Sequence, residues 1–262
     1  MAKTDTTVQS LFNGTWKAWG TLTSILLFFA LWDLGHWFYG DFILPSPQAS
    51  IAKLRDLFAT GAAGPELGVT AYRALAGFSV AVIGGSSIGM IAGRSPTIAM
   101  VLRPWVTMLL GIPPIAWIVL ALLWFGATDS TPIFTVAVTA LPVAFAAGMQ
   151  GSLTLDRDLD EMACTLGASK WLTFIDVQLP HVLSYLFPAW ITALGTSWKV
   201  VVMAELLSSG TGIGAGLATA RVNLDTTATM AWILTTVGAL LLTEYGILDP
   251  LKRRVEHWRD RN

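Results

Sequence analysis

The sequence predicts an all-α, polytopic membrane protein with about six spanning helices. Three observations carry that fold class. Charged residues make up 13% of the 262 positions, where soluble domains carry about 25%. Hydrophobic residues make up 54%, and the mean hydropathy is positive, +0.62. Mostly apolar stretches of about 20 residues, the length that crosses a bilayer, recur between short polar segments.

Composition also closes off some roles. The net charge is -1, and no basic cluster accompanies exposed aromatics, so nucleic acid is not an expected partner. The single cysteine, Cys164, excludes an internal disulfide framework and a cysteine-based metal site. Met1 to Asn13 are polar and lack a cleavable signal pattern, so the first span is expected to serve as its own insertion signal.

The first span is read over Trp19–Phe38, with Trp32, Trp37, Phe38 and Tyr39 suited to an interface belt. After the turn Leu44-Pro45-Ser46-Pro47, the segment Gln48–Phe58 spaces Ile51, Leu54, Leu57 and Phe58 helically among charges. That is the pattern of a short interfacial helix. The second span, Val69–Gly93, carries Gly77, Ala81, Gly85, Gly89 and Gly93 at four-residue intervals, a small-residue ridge that lets another helix come close. The third lies between Arg103 and Gly126 and is interrupted at Gly111-Ile112-Pro113-Pro114. Paired prolines remove backbone donors, and such a break at membrane depth requires protein or a watery path beside it. The fourth runs over Pro132–Gly148 and the fifth over Tyr185–Leu207, with Lys199 and Glu205 inside it. A glycine-rich run from Ser208 to Gly216 reads as a flexible turn or re-entrant piece, and the sixth span covers Thr229–Leu248. By domain, residues 1–64 form an N-terminal segment, 65–250 the transmembrane core with a polar loop at 156–180, and 251–262 a basic tail.

That polar loop is the most distinctive stretch. It opens with Asp156, Arg157, Asp158, Asp160 and Glu161 and then reads as two short helices. The first, Leu159–Leu166, is closed by Gly167, which can take the left-handed conformation. Ser169 is placed to cap the second, which is expected to bury Trp171, Leu172, Phe174 and Ile175 on one side and to end at Pro180. Positive charges orient the chain. Lys3, Lys17, Arg94, Arg103, Arg157, Lys170, Lys252, Arg253, Arg254, Arg259 and Arg261 fall on one side, against Lys53, Arg55 and Arg221 on the other. The richer side is the cytoplasmic one, which places both termini and the polar loop in the cytoplasm.

No GxxxxGK[ST] phosphate loop occurs, and the alternating glycines after Gly210 miss the G-x-G-x-x-G spacing. Gly85-Ser86-Ser87-Ile88-Gly89 matches G-x-S-x-G, but it lies in an apolar helix. The three histidines, His36, His181 and His257, are scattered, which argues against an intramembrane hydrolase and leaves no catalytic residue to name. No His, Asp or Glu pair at i, i+4 within a span suggests a metal site. Lys199 and Glu205 are candidates for a polar path, since an ionisable group in a span marks a pathway or a buried pair. Arg73, Asp33 and Glu244, near span ends, read as interface anchors.

The loop resembles the cytoplasmic EAA loop of ABC-importer permease subunits, with Glu161, Ala163, Gly167, Leu179 and Pro180 in register. Met162 and Val177 are mild apolar departures from that pattern. Gly111 to Trp117 followed by Trp124-Phe125-Gly126, and Lys199 through Glu205 followed by glycines, resemble the nitrate/sulfonate/taurine/bicarbonate branch. The resemblance implies a type I ABC importer transmembrane domain whose loop is a coupling helix docking into a cytoplasmic ATPase dimer. It further implies a second copy of this chain and an extracytoplasmic substrate-binding protein. ATP and Mg would be used by the ATPase, with no cofactor bound here. It implies a path between two copies for a sulfonate, taurine or nitrate in a bacterial inner membrane, and Lys199, Glu205, Pro113 and Pro114 are the residues expected to line it. Similar permeases serve neutral vitamin precursors. A secondary transporter, from another class, would need mid-membrane coupling carboxylates and often inverted repeats, and neither is clear in this sequence.

Overall fold

A computed structural model describes residues 3–155, 162 and 165–248, and among them every regular element is helical. The helices are α1 (Lys3–Tyr39), α2 (Pro47–Ala59), α3 (Ala63–Arg94), α4 (Pro96–Gly111), α5 (Pro114–Phe125), α6 (Ser130–Leu153), α7 (Leu179–Ser208), α8 (Ile213–Val222) and α9 (Thr226–Thr243). Among the described residues, five stretches are long and apolar enough to cross a membrane. The pair α4 and α5, bent by 95° at its break, makes a sixth span if counted as one. The break follows from local chemistry. Ile112, held extended by the proline after it, ends α4, and Pro114 starts α5 at the position where a missing N–H costs nothing. The first arm of this broken pair begins at Pro96, earlier than Arg103, because Ser95 caps it and Pro96 takes its first turn.

The centre is a slab of α3, α6 and α7. Apolar tails of lipid are as oily as leucine, so close backbone packing holds such helices together. A Cβ on Gly77 would come within 2.7 Å of the Ile133 carbonyl and Val136, on Gly85 within 2.6 Å of the Leu141 carbonyl, and on Gly93 within 2.5 Å of the Met149 carbonyl. Gly89 faces the Phe145 carbonyl in the same way, and Gly148 of α6 returns the contact against Ser86. Ala81, Ala140 and Ala193, all fully buried, meet in one cluster. A second cluster joins Trp198 and Val201 of α7, Ile213 of α8 and Trp232 of α9, with the Trp198 indole donating to Thr243 Oγ1 at 2.9 Å.

Two expectations change. Pro180 does not end a helix. The turn Lys170–Thr173 runs through a π-helical turn, Phe174–Gln178, straight into α7. The wider ring, in which the Leu179 N–H reaches back to the Phe174 carbonyl, accommodates a proline that an α-turn would resist. The glycine run is tightly packed rather than a loose turn. Gly212 (φ +99°) and Gly214 lie against Glu205, and a Cβ on Gly216 would fall 2.5 Å from the Trp232 ring. It leads into α8, a regular ten-residue helix.

α1 stands apart from the slab, its spanning window 0% buried. Two side chains tie it to the turn before α2: the Trp32 indole donates to the Pro45 carbonyl at 3.0 Å, and His36 Nδ1 pairs with the Leu44 carbonyl at 2.8 Å.

Candidate transport site

At one end of the slab lies the described part of the polar loop, 165–180. Glu161 and Ala163 fall outside the described residues. The Leu166 N–H bonds the Met162 carbonyl at 3.0 Å, and Gly167 follows at φ +75°, the left-handed geometry that turns the chain. Ser169 Oγ then accepts from the Leu172 N–H at 3.2 Å, capping the turn that leads into α7. The apolar side chains there are not buried, contrary to expectation. Trp171 is 70% exposed, Leu172 50% and Ile175 38%, while Phe174 is half-buried. They lie at the end of the α7 run that extends past the packed helices, and none of the described residues covers them. Leu179 is half-buried and Pro180 exposed. Arg94, the last residue of α3, reaches this segment. Its Nη2 donates to Gln178 Oε1 at 2.5 Å, and its guanidinium lies 5.5 Å from the Phe174 ring centre.

Midway, Lys199 is exposed on a stripe of α7 that also carries Pro188, Thr192, Met203 and Leu207. It makes no ion pair among the described residues. Pro113 is exposed and Pro114 half-buried. Glu205 lies elsewhere. Six residues, about 600° of helical turn, carry it off the Lys199 face, and it is fully buried.

Glu205 belongs to a polar cluster toward the other end. Arg73 is 3% exposed and uses its whole fork. Nη1 donates to Glu205 Oε1 at 2.8 Å and to the Thr211 carbonyl at 2.9 Å. Nε and Nη2 donate to Asp129 Oδ1 at 2.9 and 2.5 Å, and Nη2 also to Thr211 Oγ1 at 3.0 Å. Glu205 Oε2 accepts from Thr70 Oγ1 at 2.8 Å and from the Gly214 N–H at 3.1 Å, and Thr70 Oγ1 accepts from the Ile213 N–H at 2.8 Å. Glu66 accepts from the Gly212 N–H. Arg73 is thus no interface anchor. It sits inside the protein because a guanidinium at this depth, with two carboxylates in reach, is better paired than left in lipid. The sequence held one hint of it, two unlike charges inside spans, but Thr70, Asp129 and Thr211 carried no signal of their own.

The G-x-S-x-G match is also explained. Ser86 is buried and accepts from the Trp190 indole at 3.1 Å, while His36 and His181 bond elsewhere, to Leu44 and Thr154.

A helical slab with a broken span and a mid-helix lysine that has no ion pair among the described residues fits a membrane transport component. Residues 85–254 match the family of binding-protein-dependent transport system inner membrane components, and the chain belongs to that family. It is 35% identical over 184 residues to the putative aliphatic sulfonates transport permease protein SsuC of Escherichia coli, covering 70% of each chain. It is 29% identical to the taurine transport system permease protein TauC of Escherichia coli, covering 82% of this chain and 80% of that one. A probable ABC transporter permease protein of Brucella abortus is 29% identical over 90% of this chain and 95% of its own. The fold is shared with a chain of the MetNI methionine ABC transporter in an inward-facing conformation, at TM-score 0.56 and 20% identity, covering 70% of this chain and 93% of that one.

Proposed function

We propose that this permease imports a small oxyanion, a sulfonate such as taurine or nitrate, as one of two copies around a shared path. An ATPase pair docks at the Arg94 end, which lies in the cytoplasm with both termini, and a binding protein delivers cargo at the opposite face. One observation carries the reading. A helical run from Trp171 to Ser208 joins an exposed apolar surface, fit for a protein groove, to the exposed Lys199 at membrane depth. A push on the first is delivered along the same helix to the second. Gly167 serves the docking turn, and Glu161, in register with the EAA pattern, belongs to the same loop. Lys199, exposed at a depth where a lone charge is costly in lipid, faces the watery path and favours anions, while Pro113 and Pro114 open the wall of the path. Glu205 acts at a remove, through Arg73, by fixing the outer loop. ATP and Mg are handled by the ATPase. The names of the sulfonate, taurine and nitrate relatives support the cargo class.

The test is reconstitution in liposomes with the ATPase and binding protein, measuring uptake of taurine, an alkanesulfonate and nitrate. ATP-dependent uptake of at least one anion is expected. Uptake that proceeds without the ATPase would overturn the reading, and uptake of neutral solutes alone would overturn its cargo class.

A further inference from the structure

The π-helical turn Phe174–Gln178 interrupts the α-helical hydrogen-bond ladder of the helical run 171–208. Its hydrogen-bond rings are wider and less well aligned than α-helical ones, so a sideways load on Trp171 and Leu172 would bend the chain there. Arg94 grips both limits of that turn. Phe174, its first residue, lies under the guanidinium, and Gln178, its last, accepts from Nη2. Arg94 is itself placed at a junction, ending α3 one residue before Ser95 caps α4. A cation at a helix C-terminus is favoured by the helix dipole, which helps hold the guanidinium in place.

We propose that Arg94 is a positioning residue for energy coupling, a clasp that stiffens the π-turn and passes motion of the docking segment to the α3–α4 junction as well as to α7. The inference rests on the proposed docking of an ATPase at this segment. Two of its features are specific to arginine. A planar fork can stack on a ring and donate to an amide at once, which an ammonium does less well. The contact is also local, so losing it leaves the glycine-packed slab untouched.

The experiment uses the full complex in liposomes with whichever of taurine, an alkanesulfonate and nitrate the wild type imports. In Arg94→Gln, substrate imported per ATP hydrolysed falls about fivefold, the scale of one exposed cation–π contact, while the ATPase stays bound. Arg94→Lys recovers part of the loss. Gln178→Ala and Phe174→Leu each lower the ratio, and neither lowers it further in the Arg94→Gln background. A spin label at Leu172→Cys in the purified permease, in a Cys164→Ser background, reads the clasp without any partner, and Arg94→Gln sharpens its spectrum. A wild-type ratio and an unchanged spectrum in Arg94→Gln would overturn the clasp and leave the ATP-driven reading standing. A wild-type permease that imports without ATP would overturn both.

Discussion

At the scale of single residues, the buried Arg73–Glu205 pair and the exposed Lys199 show how differently a charge is handled inside a membrane protein. Glu205 accepts three hydrogen bonds, from Arg73, Thr70 and Gly214, and removing it leaves Arg73 with a carbonyl, a hydroxyl and one exposed carboxylate. Glu205→Ala is expected to lower stability by about 3–5 kcal/mol, because a buried charge loses its partner, read as the unfolding midpoint of the detergent-purified protein. Arg73→Met should cost a similar amount, and the double variant less than the sum. Asp129 is 62% exposed, so Asp129→Asn should cost less than about 1 kcal/mol. Lys199→Met should leave the midpoint unchanged and reduce anion uptake roughly tenfold, a change of about 1.4 kcal/mol. Normal uptake would make it a structural residue. The sequence marked both ionisable positions in the fifth span but not their separation. Pairing across 132 positions is a tertiary fact, and a lone arginine near a span end looks the same whether it faces headgroups or a carboxylate.

Among elements, the glycine ridge and the Gly167 turn make opposite demands. Gly89 has the α6 backbone against it, and a larger side chain must drive the helices apart. Gly89→Leu is therefore expected to destabilise by about 1–3 kcal/mol or to abolish folded yield, whereas Gly84→Ala, with nothing within 4 Å, should be neutral in the same thermal assay. Gly167 has open space around it but a φ of +75° that proline cannot adopt. Gly167→Pro should leave the fold intact and abolish ATP-driven uptake; wild-type uptake would remove the turn from the mechanism. A four-residue glycine repeat states in the sequence that some backbone comes close, and only the fold supplies α6 as that neighbour. The paired prolines gave the break between α4 and α5 directly, since they act through local sterics. The continuity of 171–208 was not legible, because a single proline ordinarily reads as a stop and a π-turn has no sequence signature. The exposure of Trp171 and Leu172 escaped for another reason: an apolar period announces a face to be covered but not which molecule covers it.

For the whole molecule, the low charge and repeated apolar stretches already implied the multi-spanning helical class, which is a property of sums and survives local misreadings. The assembly is where the single chain stops. If two copies enclose the path, the α7 stripe that bears Lys199 faces its own symmetry mate. Met203→Cys, in a Cys164→Ser background, should then form a disulfide-linked dimer under mild oxidant, and Ile83→Cys on α3 should not. The reverse pattern would move the path to another surface. The glycine contacts between α3 and α6 set a further condition on how such a dimer works. Along this ridge the α3 glycines meet α6 carbonyls and the short side chains of Val136, Ala144 and Ser152 too closely for either helix to slide along the other without first lifting clear. In such a dimer the pair would turn as one stiff plate, and any change from one open side to the other would fall to the joints at its rim.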